Sequence, residues 1–182
     1  MKKFIIPVLF CFYLNVKAQE NEINSCLSTA IGSSFLGSGD MVAVTVHGQY
    51  DKYHNPKRST SISFGLGNSN FGVSENAFYY QFNLNTFWKL FKNTGLNTFR
   101  VGTGFSFYGK NETILISQLG GTGIVLESEY GFENTNAFGV NIVMEKIWKV
   151  TETSILGLSI YQQPYLNGEL ITGISLRYGF VR

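Results

Sequence analysis

His47 is the first residue in this sequence to consider for acid–base chemistry. It lies in an alternating segment in which Thr45, Gln49 and Asp51 share its face. A histidine close to a carboxylate is a common general base. However, no motif ties a nucleophile to His47, no His-x-Ser pair occurs, and the other histidine, His54, falls in turn-forming sequence. The sequence therefore predicts no catalytic residue.

Four charged residues form a second candidate group. Glu127 and Glu129 are two residues apart, so they lie on one face of a strand, and Arg100 and Arg177 lie on the polar faces of other segments. Paired carboxylates could transfer protons or bind a cation. We expect instead that the four residues form a structural ion-pair network, which fills the interior of a narrow barrel.

Cofactor and metal motifs are not recognisable. Gly102-Thr103-Gly104 and residues 120–123 lack the spacing and the lysine of a nucleotide-binding loop. Two histidines and Cys26 offer no metal-ligand spacing. We interpret the glycines as sites of close packing in a tightly curved sheet.

The first 18 residues have the pattern of a signal peptide. Lys2 and Lys3 precede an apolar run from residue 4 to residue 14, and Val16 and Ala18 are the small residues of a cleavage site. The run is too short for a spanning helix. We therefore predict a signal peptide over 1–18 and a single domain over 19–182. Without the three lysines of the leader, 11 basic residues face 12 acidic ones, and no basic surface for nucleic acid is indicated.

The composition is unusual for a water-soluble domain. Aromatic residues make up 15% of the chain and charged residues only 14%, against roughly 25% charged residues in ordinary soluble domains. Cys26 is the single cysteine after residue 18, so no internal disulfide is expected.

Alternation of polar and apolar residues, the pattern of a strand with two unlike faces, recurs along the chain. In 77–90, Phe78, Tyr80 and Phe82 oppose Gln81 and Asn83. The same pattern predicts strands over 27–36, 41–53, 59–68, 98–108, 122–132, 136–148, 154–163 and 169–180. Turn-forming residues separate these segments, including 109–111 and 133–136, so neighbouring strands should be antiparallel.

Nine strands are an awkward number, because single-chain membrane barrels have even counts. Eight strands result if 27–36 does not span, and ten result if 112–119 is a further strand. We predict an all-β fold, a single up-and-down antiparallel transmembrane β-barrel with eight strands, and keep ten as the alternative.

The polar faces suggest which side meets lipid. They carry mainly Gly, Ser, Thr, Asn and Gln, which suit a crowded lumen better than bulk water. The other faces carry aliphatic and aromatic residues. We expect an aromatic girdle at the membrane interface, formed by Tyr53, Trp88, Trp148, Tyr178 and Phe180. A soluble, lipocalin-like barrel with its apolar face inward is the alternative.

With its signal peptide, its succession of hairpins and its closing segment 174–180, the chain resembles the small outer-membrane β-barrel domain proteins of Gram-negative bacteria, the porin-like and OmpX-like barrels. The resemblance implies export to the outer membrane, contact with its lipids, and recognition of the C-terminal strand by the barrel-assembly machinery. It leaves the extracellular ligand open.

The function expected from these features is structural, adhesive or loop-presenting, without catalysis or cofactor. Two alternatives remain at this stage. One is a narrow channel for small solutes, and the other is a lipid-modifying outer-membrane enzyme that uses His47.

Overall fold

The chain folds into a closed barrel of eight antiparallel strands, as predicted. The computed structural model describes residues 24–37, 41–69, 76–91, 97–121 and 124–182, with the backbone alone for 114–121 and 124–128. Each strand pairs with the next in sequence, and the last pairs with the first. The strands are β1 Ser25–Leu36, β2 Met41–Asn55, β3 Arg58–Asn68, β4 Asn76–Lys89, β5 Thr98–Gly121, β6 Ile124–Lys149, β7 Ser154–Pro164 and β8 Leu170–Val181.

Side chains alternate between the inside and the outside of the barrel, as strand geometry requires. On β4, Tyr79, Gln81 and Asn83 are buried in the lumen, whereas Phe78 and Phe82 are exposed on the outer surface. The outer surface is therefore apolar and the lumen mainly polar. The described part of the chain contains no helix long and apolar enough to cross a membrane.

The strand count is eight for a different reason from the one predicted. Residues 27–36 do form a strand, β1, whereas the predicted turns at 109–111 and 133–136 are wrong. These two groups of turn-forming residues lie opposite each other, with Gly109 paired to Asn136 and Asn111 to Asn134. Because each supplies the ladder partner of the other, β5 and β6 continue without a break. The ten-strand alternative is therefore also wrong.

The barrel has two unlike ends. We call the end at which β1 begins and β8 ends the proximal end; β2, β4 and β6 also end there. The opposite end, called the distal end, carries the hairpin of β5 and β6. The predicted signal peptide lies outside the described residues and stays a prediction.

Two glycines allow the close packing that the sequence suggested. A Cβ atom at Gly104 would collide with the carbonyl oxygen of Leu84 on the neighbouring strand. A Cβ atom at Gly102 would lie 2.5 Å from a ring carbon of Phe87, which fills the lumen beside it. The barrel therefore packs large lumen side chains over backbone that carries no side chain.

Candidate functional site

Four charged side chains meet in the lumen near the proximal end. They are Asp51 on β2, Arg100 on β5, Glu145 on β6 and Arg177 on β8, and each is at most 2% exposed. We call them the charge layer. Two arginines and two carboxylates make the layer neutral in sum, and it connects four of the eight strands across the lumen.

The arginines of the charge layer share both carboxylates. Asp51 Oδ2 accepts from Arg100 Nη2 at 2.9 Å and from Arg177 Nη1 at 2.8 Å. Glu145 pairs with Arg100 and lies 3.0 Å from Arg177 Nε. Arg100 also donates to Ser59 at 3.0 Å, and its guanidinium stacks 4.0 Å from the ring centre of Phe87. Each charge is thus held by more than one partner.

Burial of this kind makes the layer sensitive to the loss of any one charge. Removing one partner from a buried ion pair leaves an uncompensated charge and costs about 3–5 kcal/mol. The four side chains reach this level from strands on opposite walls, so the layer crosses the lumen near the proximal end.

The charge layer includes two of the four residues expected from the sequence. Arg100 and Arg177 belong to it, but their carboxylate partners are Asp51 and Glu145. Glu129 is exposed and lies sixteen residues before Glu145 on β6, a separation of about 50 Å along a strand. The side chain of Glu127 lies outside the described residues.

The alternation of inward and outward residues along each strand could have identified Asp51 and Glu145, the two acids that the sequence prediction missed. Asp51 and Glu145 each lie four residues before the last residue of a strand that ends proximally, as does Arg177, and Arg100 follows the start of β5. All four face inward at one level for this reason. The alternating pattern of 122–132 predicts a strand of the barrel wall, and on such a strand Glu127 and Glu129 would lie closer to the two arginines than they do.

Tyrosines fill the lumen near the distal end. Tyr79, Tyr108, Tyr161 and Tyr165 belong to one buried cluster, which we call the tyrosine layer. The ring centres of Tyr108 and Tyr165 are 4.2 Å apart, and the Tyr165 hydroxyl forms a 2.8 Å hydrogen bond with Ser106. Tyr165 follows the last residue of β7, and its backbone pairs with Gly139 on β6. The tyrosine layer therefore fills part of the lumen at a second level.

A polar cavity of about 40 Å³ lies between the two layers. His47 borders it, is 8% exposed, and lies 3.0 Å from the Gln81 amide nitrogen through Nδ1. The His47 ring also packs edge-on against Tyr161, with ring centres 5.8 Å apart. Asn85 and Asn141 line the same space. His47 therefore contacts an amide and an aromatic ring, and the cavity is large enough for a few water molecules.

No group of three or more histidine, cysteine, aspartate or glutamate side chains that could hold a metal ion occurs among the described residues. Cys26 is buried near the proximal end, where it packs with Ile147 and Ile155. The charged side chains of the lumen bind one another.

Four of the five residues predicted for the aromatic girdle lie on the outer surface at the proximal end. Trp88, Tyr178 and Phe180 are exposed, and Trp148 is half-buried on the outward face of β6. Tyr53 lies at the same level but faces inward, where it packs against Cys26 and its neighbours. Tyr53 faces inward because residues two apart on a strand lie on the same face, and Tyr53 is two residues from the lumen residue Asp51.

The hairpin of β5 and β6 extends well beyond the rest of the barrel. Its pairing with β4 ends at Thr113, and on the other side the last contact is the bridge at Gly139. From Ile114 to Gly121, the described part of β5 pairs with β6 alone, over about 25 Å. We call residues 113–132 the distal hairpin. Both of its edges carry backbone groups that pair with no strand among the described residues.

The distal hairpin also differs from the barrel wall in its side chains and its register. Phe132 is 86% exposed and Tyr130 is 42% exposed. Two register shifts, between Leu115 and Ser117 and between Leu119 and Gly120, interrupt its ladder. Irregularities of this kind are common at strand edges, where they limit uncontrolled pairing with other chains.

The chain is a closed barrel whose lumen holds packed side chains and whose outer surface is apolar. These features define the fold of the small outer-membrane barrels. Solved structures similar to this chain include the attachment invasion locus protein Ail of Yersinia pestis, with 11% identity, 89% of this chain and 100% of that chain covered, and a TM-score of 0.61. Neisserial surface protein A is 9% identical, with 88% of this chain and 97% of that chain covered, and a TM-score of 0.58. The N-terminal β-barrel domain of OprF from Pseudomonas aeruginosa is 17% identical, with 87% of this chain and 98% of that chain covered, and a TM-score of 0.54.

These likenesses concern the fold, since the identities are low. No protein-family model matches the chain, and no curated protein sequence matches it. The predicted resemblance to small outer-membrane barrels is confirmed at the level of architecture.

Proposed function

We propose that this chain is exported to the outer membrane of a Gram-negative cell, where it anchors the distal hairpin as an extracellular binding surface and performs no catalysis. Its apolar outer surface would contact the membrane lipids, and β8 would be the strand recognised by the barrel-assembly machinery. The proximal end would face the periplasm. This arrangement suits an even-stranded barrel with short turns on one side and longer extensions on the other.

The observation that carries the proposal is the length of the distal hairpin beyond its neighbours. A ribbon with two unpaired edges can accept an extended segment of another protein by adding a strand to one edge. Exposed aromatic side chains such as Phe132 and Tyr130 would add apolar contacts. The Yersinia protein of similar fold is named the attachment invasion locus protein, and attachment is the form of binding that we propose here.

The filled lumen supports a scaffold rather than a conduit. The charge layer and the tyrosine layer each cross the lumen with hydrogen-bonded side chains, and such contacts stiffen the barrel beneath the hairpin. Rigid scaffolds with projecting loops are a common arrangement for binding proteins.

The proposal is tested by shortening the distal hairpin. Residues 114–131 are replaced by an Asn-Gly turn, which joins the ladder partners Thr113 and Phe132 and is a favoured two-residue connection. Non-adherent cells that display the full chain should bind to animal-cell monolayers or to one another, and the shortened variant should lose this binding while keeping the heat-dependent gel migration of a folded barrel.

Equal attachment by the two forms would contradict the proposal. Topology is checked separately with an Asn134→Cys variant, because Asn134 is exposed near the hairpin. A membrane-impermeant maleimide should label this cysteine on intact cells, whereas a cysteine at Thr153 in a proximal turn should react only after the outer membrane is opened.

A narrow channel is the second candidate, because the polar cavity between the two layers could form part of a path for small solutes. Conductance across a planar bilayer discriminates between the two functions. We expect no stepwise current from the full chain, and regular openings would favour the channel.

A further inference from the structure

Basic side chains collect at the proximal end of the barrel. They include Lys52, Lys57, Arg58, Lys149 and Arg182, each at least partly exposed, and we call these five residues the basic ring. Outside the charge layer, Glu152 is the one acidic residue at this end within the described part of the chain. No member of the ring forms an ion pair with a described residue, so the described part of the fold leaves its positive charge without an acidic partner.

The basic ring lies at the level of the outward-facing tryptophans. Arg58 is the register partner of Trp88 on the adjacent strand, and Lys149 follows Trp148 at the end of β6. Lys52 faces outward because Asp51 beside it faces the lumen. Tryptophan prefers the boundary between acyl chains and headgroups, and long basic side chains reach from there to the polar layer.

The ring surrounds the barrel rather than forming one patch. Lys52 and Arg58 lie on β2 and β3, whereas Lys149 ends β6 and Arg182 follows β8, on other walls of the eight-strand barrel. A single macromolecular partner would contact one side. Positive charge on opposite walls fits many small anionic ligands arranged around the circumference.

The distal end has the opposite charge. Lys110, the basic residue described there, is paired with Glu112 and Glu169 at 2.8 Å each, and Glu133 is exposed beyond them. A surface charged for solubility would mix both signs at both ends. The segregation of charge along the barrel axis therefore requires an explanation beyond solubility.

We infer that the basic ring binds the phosphate headgroups of anionic phospholipids in the membrane leaflet around the proximal end. Basic residues near a membrane surface attract anionic lipids, and the side chains of the ring reach the layer in which lipid phosphates lie. The ring thereby favours insertion with the proximal end in the leaflet richer in anionic phospholipid.

This inference depends on the membrane location in the proposed function but not on the distal hairpin. It is tested on the full mature chain folded into phosphatidylcholine vesicles, with Trp88 and Trp148, the two tryptophans of the sequence, as probes beside the ring. Spin-labelled phosphatidylglycerol or spin-labelled phosphatidylcholine is added at equal mole fraction, and quenching of tryptophan fluorescence reports how often each lipid contacts the proximal end.

We expect phosphatidylglycerol to quench about threefold more effectively than phosphatidylcholine at low salt. The preference should fall toward one in a Lys52→Gln/Arg58→Gln/Lys149→Gln variant and at about 1 M salt, where the Debye length is only about 3 Å. A matched Lys52→Arg/Arg58→Lys/Lys149→Arg variant keeps the charges and should keep the preference. Heat-dependent gel migration checks that every variant is folded.

Equal quenching by both lipids in the folded full chain would overturn the inference while leaving the membrane location intact. An absence of quenching by either lipid would instead mean that the barrel does not insert, and the proposed function would fail with it. If the lipids quench equally but the chain sediments with purified peptidoglycan in a ring-dependent manner, the ring serves the cell wall and the lipid assignment is wrong.

Discussion

Replacing Asp51 by asparagine should be among the most destabilising single changes of similar size in this barrel. The Asp51 carboxylate accepts hydrogen bonds from Arg100 at 2.9 Å, Arg177 at 2.8 Å and Gln49 at 2.9 Å. Asparagine keeps the shape of the side chain but removes its charge, so two buried guanidinium groups then share Glu145 alone. Loss of one partner from a buried pair costs about 3–5 kcal/mol, and we expect a decrease of this size in the free energy of unfolding.

The decrease should depend on charge balance rather than on the number of hydrogen bonds. In an Asp51→Asn/Arg177→Met double variant, the layer is again neutral, with Arg100 and Glu145 still paired. We therefore expect the double variant to be more stable than the sum of the two single losses predicts, by about 2 kcal/mol or more, within the range seen for residues of one network. An Arg177→Met variant completes the cycle.

The assay is a urea titration of the chain folded in phosphatidylcholine vesicles, followed by tryptophan fluorescence and by gel migration without heating. A loss below about 1 kcal/mol for Asp51→Asn, or simple addition of the two single losses in the double variant, would show that charge balance does not stabilise the charge layer.

Two further predictions concern the lumen packing and the outer surface. Gly102→Ala should lower the free energy of unfolding by about 1–3 kcal/mol in the same titration, because its methyl group would press on the Phe87 ring. Gly48→Ala is the control, since a Cβ atom there meets nothing within 4 Å. Equal losses of stability in the two variants would contradict the close packing at Gly102. Phe82→Arg at the middle of β4 should cost about 2–4 kcal/mol in vesicles, whereas Phe132→Arg on the distal hairpin should cost little, and similar costs at both positions would argue against a lipid-facing barrel wall.

The sequence was sufficient for the fold class because the barrel wall repeats one local rule. Residues such as Phe78 and Phe82 on one face and Gln81 and Asn83 on the other reproduce strand geometry directly. The extent of β5 and β6 was not predictable in the same way. Their turn-forming residues 109–111 and 133–136 are matched across the ladder, and such pairing is known only once the register is known.

The charge layer shows what the alternation of inward and outward residues along a strand can and cannot predict. Parity and distance from a strand end place Asp51, Arg100, Glu145 and Arg177 at one inward-facing level, yet sequence alone did not show which acids belong to that level. The choice of Glu129 followed from counting 122–132 as a barrel strand, whereas the structure places that segment in the distal hairpin. Tyr53 illustrates the same rule, because its parity with Asp51 directs it inward rather than toward a girdle.

The most direct test of the account measures where the outer surface of the barrel lies. Phe82→Trp, in a Trp88→Phe/Trp148→Phe background, places a single tryptophan on the outer face of β4, where Phe82 is now exposed. In vesicles that contain lipids brominated at different acyl depths, its fluorescence should be quenched most strongly by bromine near the bilayer centre. A tryptophan that no brominated lipid quenches, in a chain that folds as a monomer without detergent or lipid, would contradict the account.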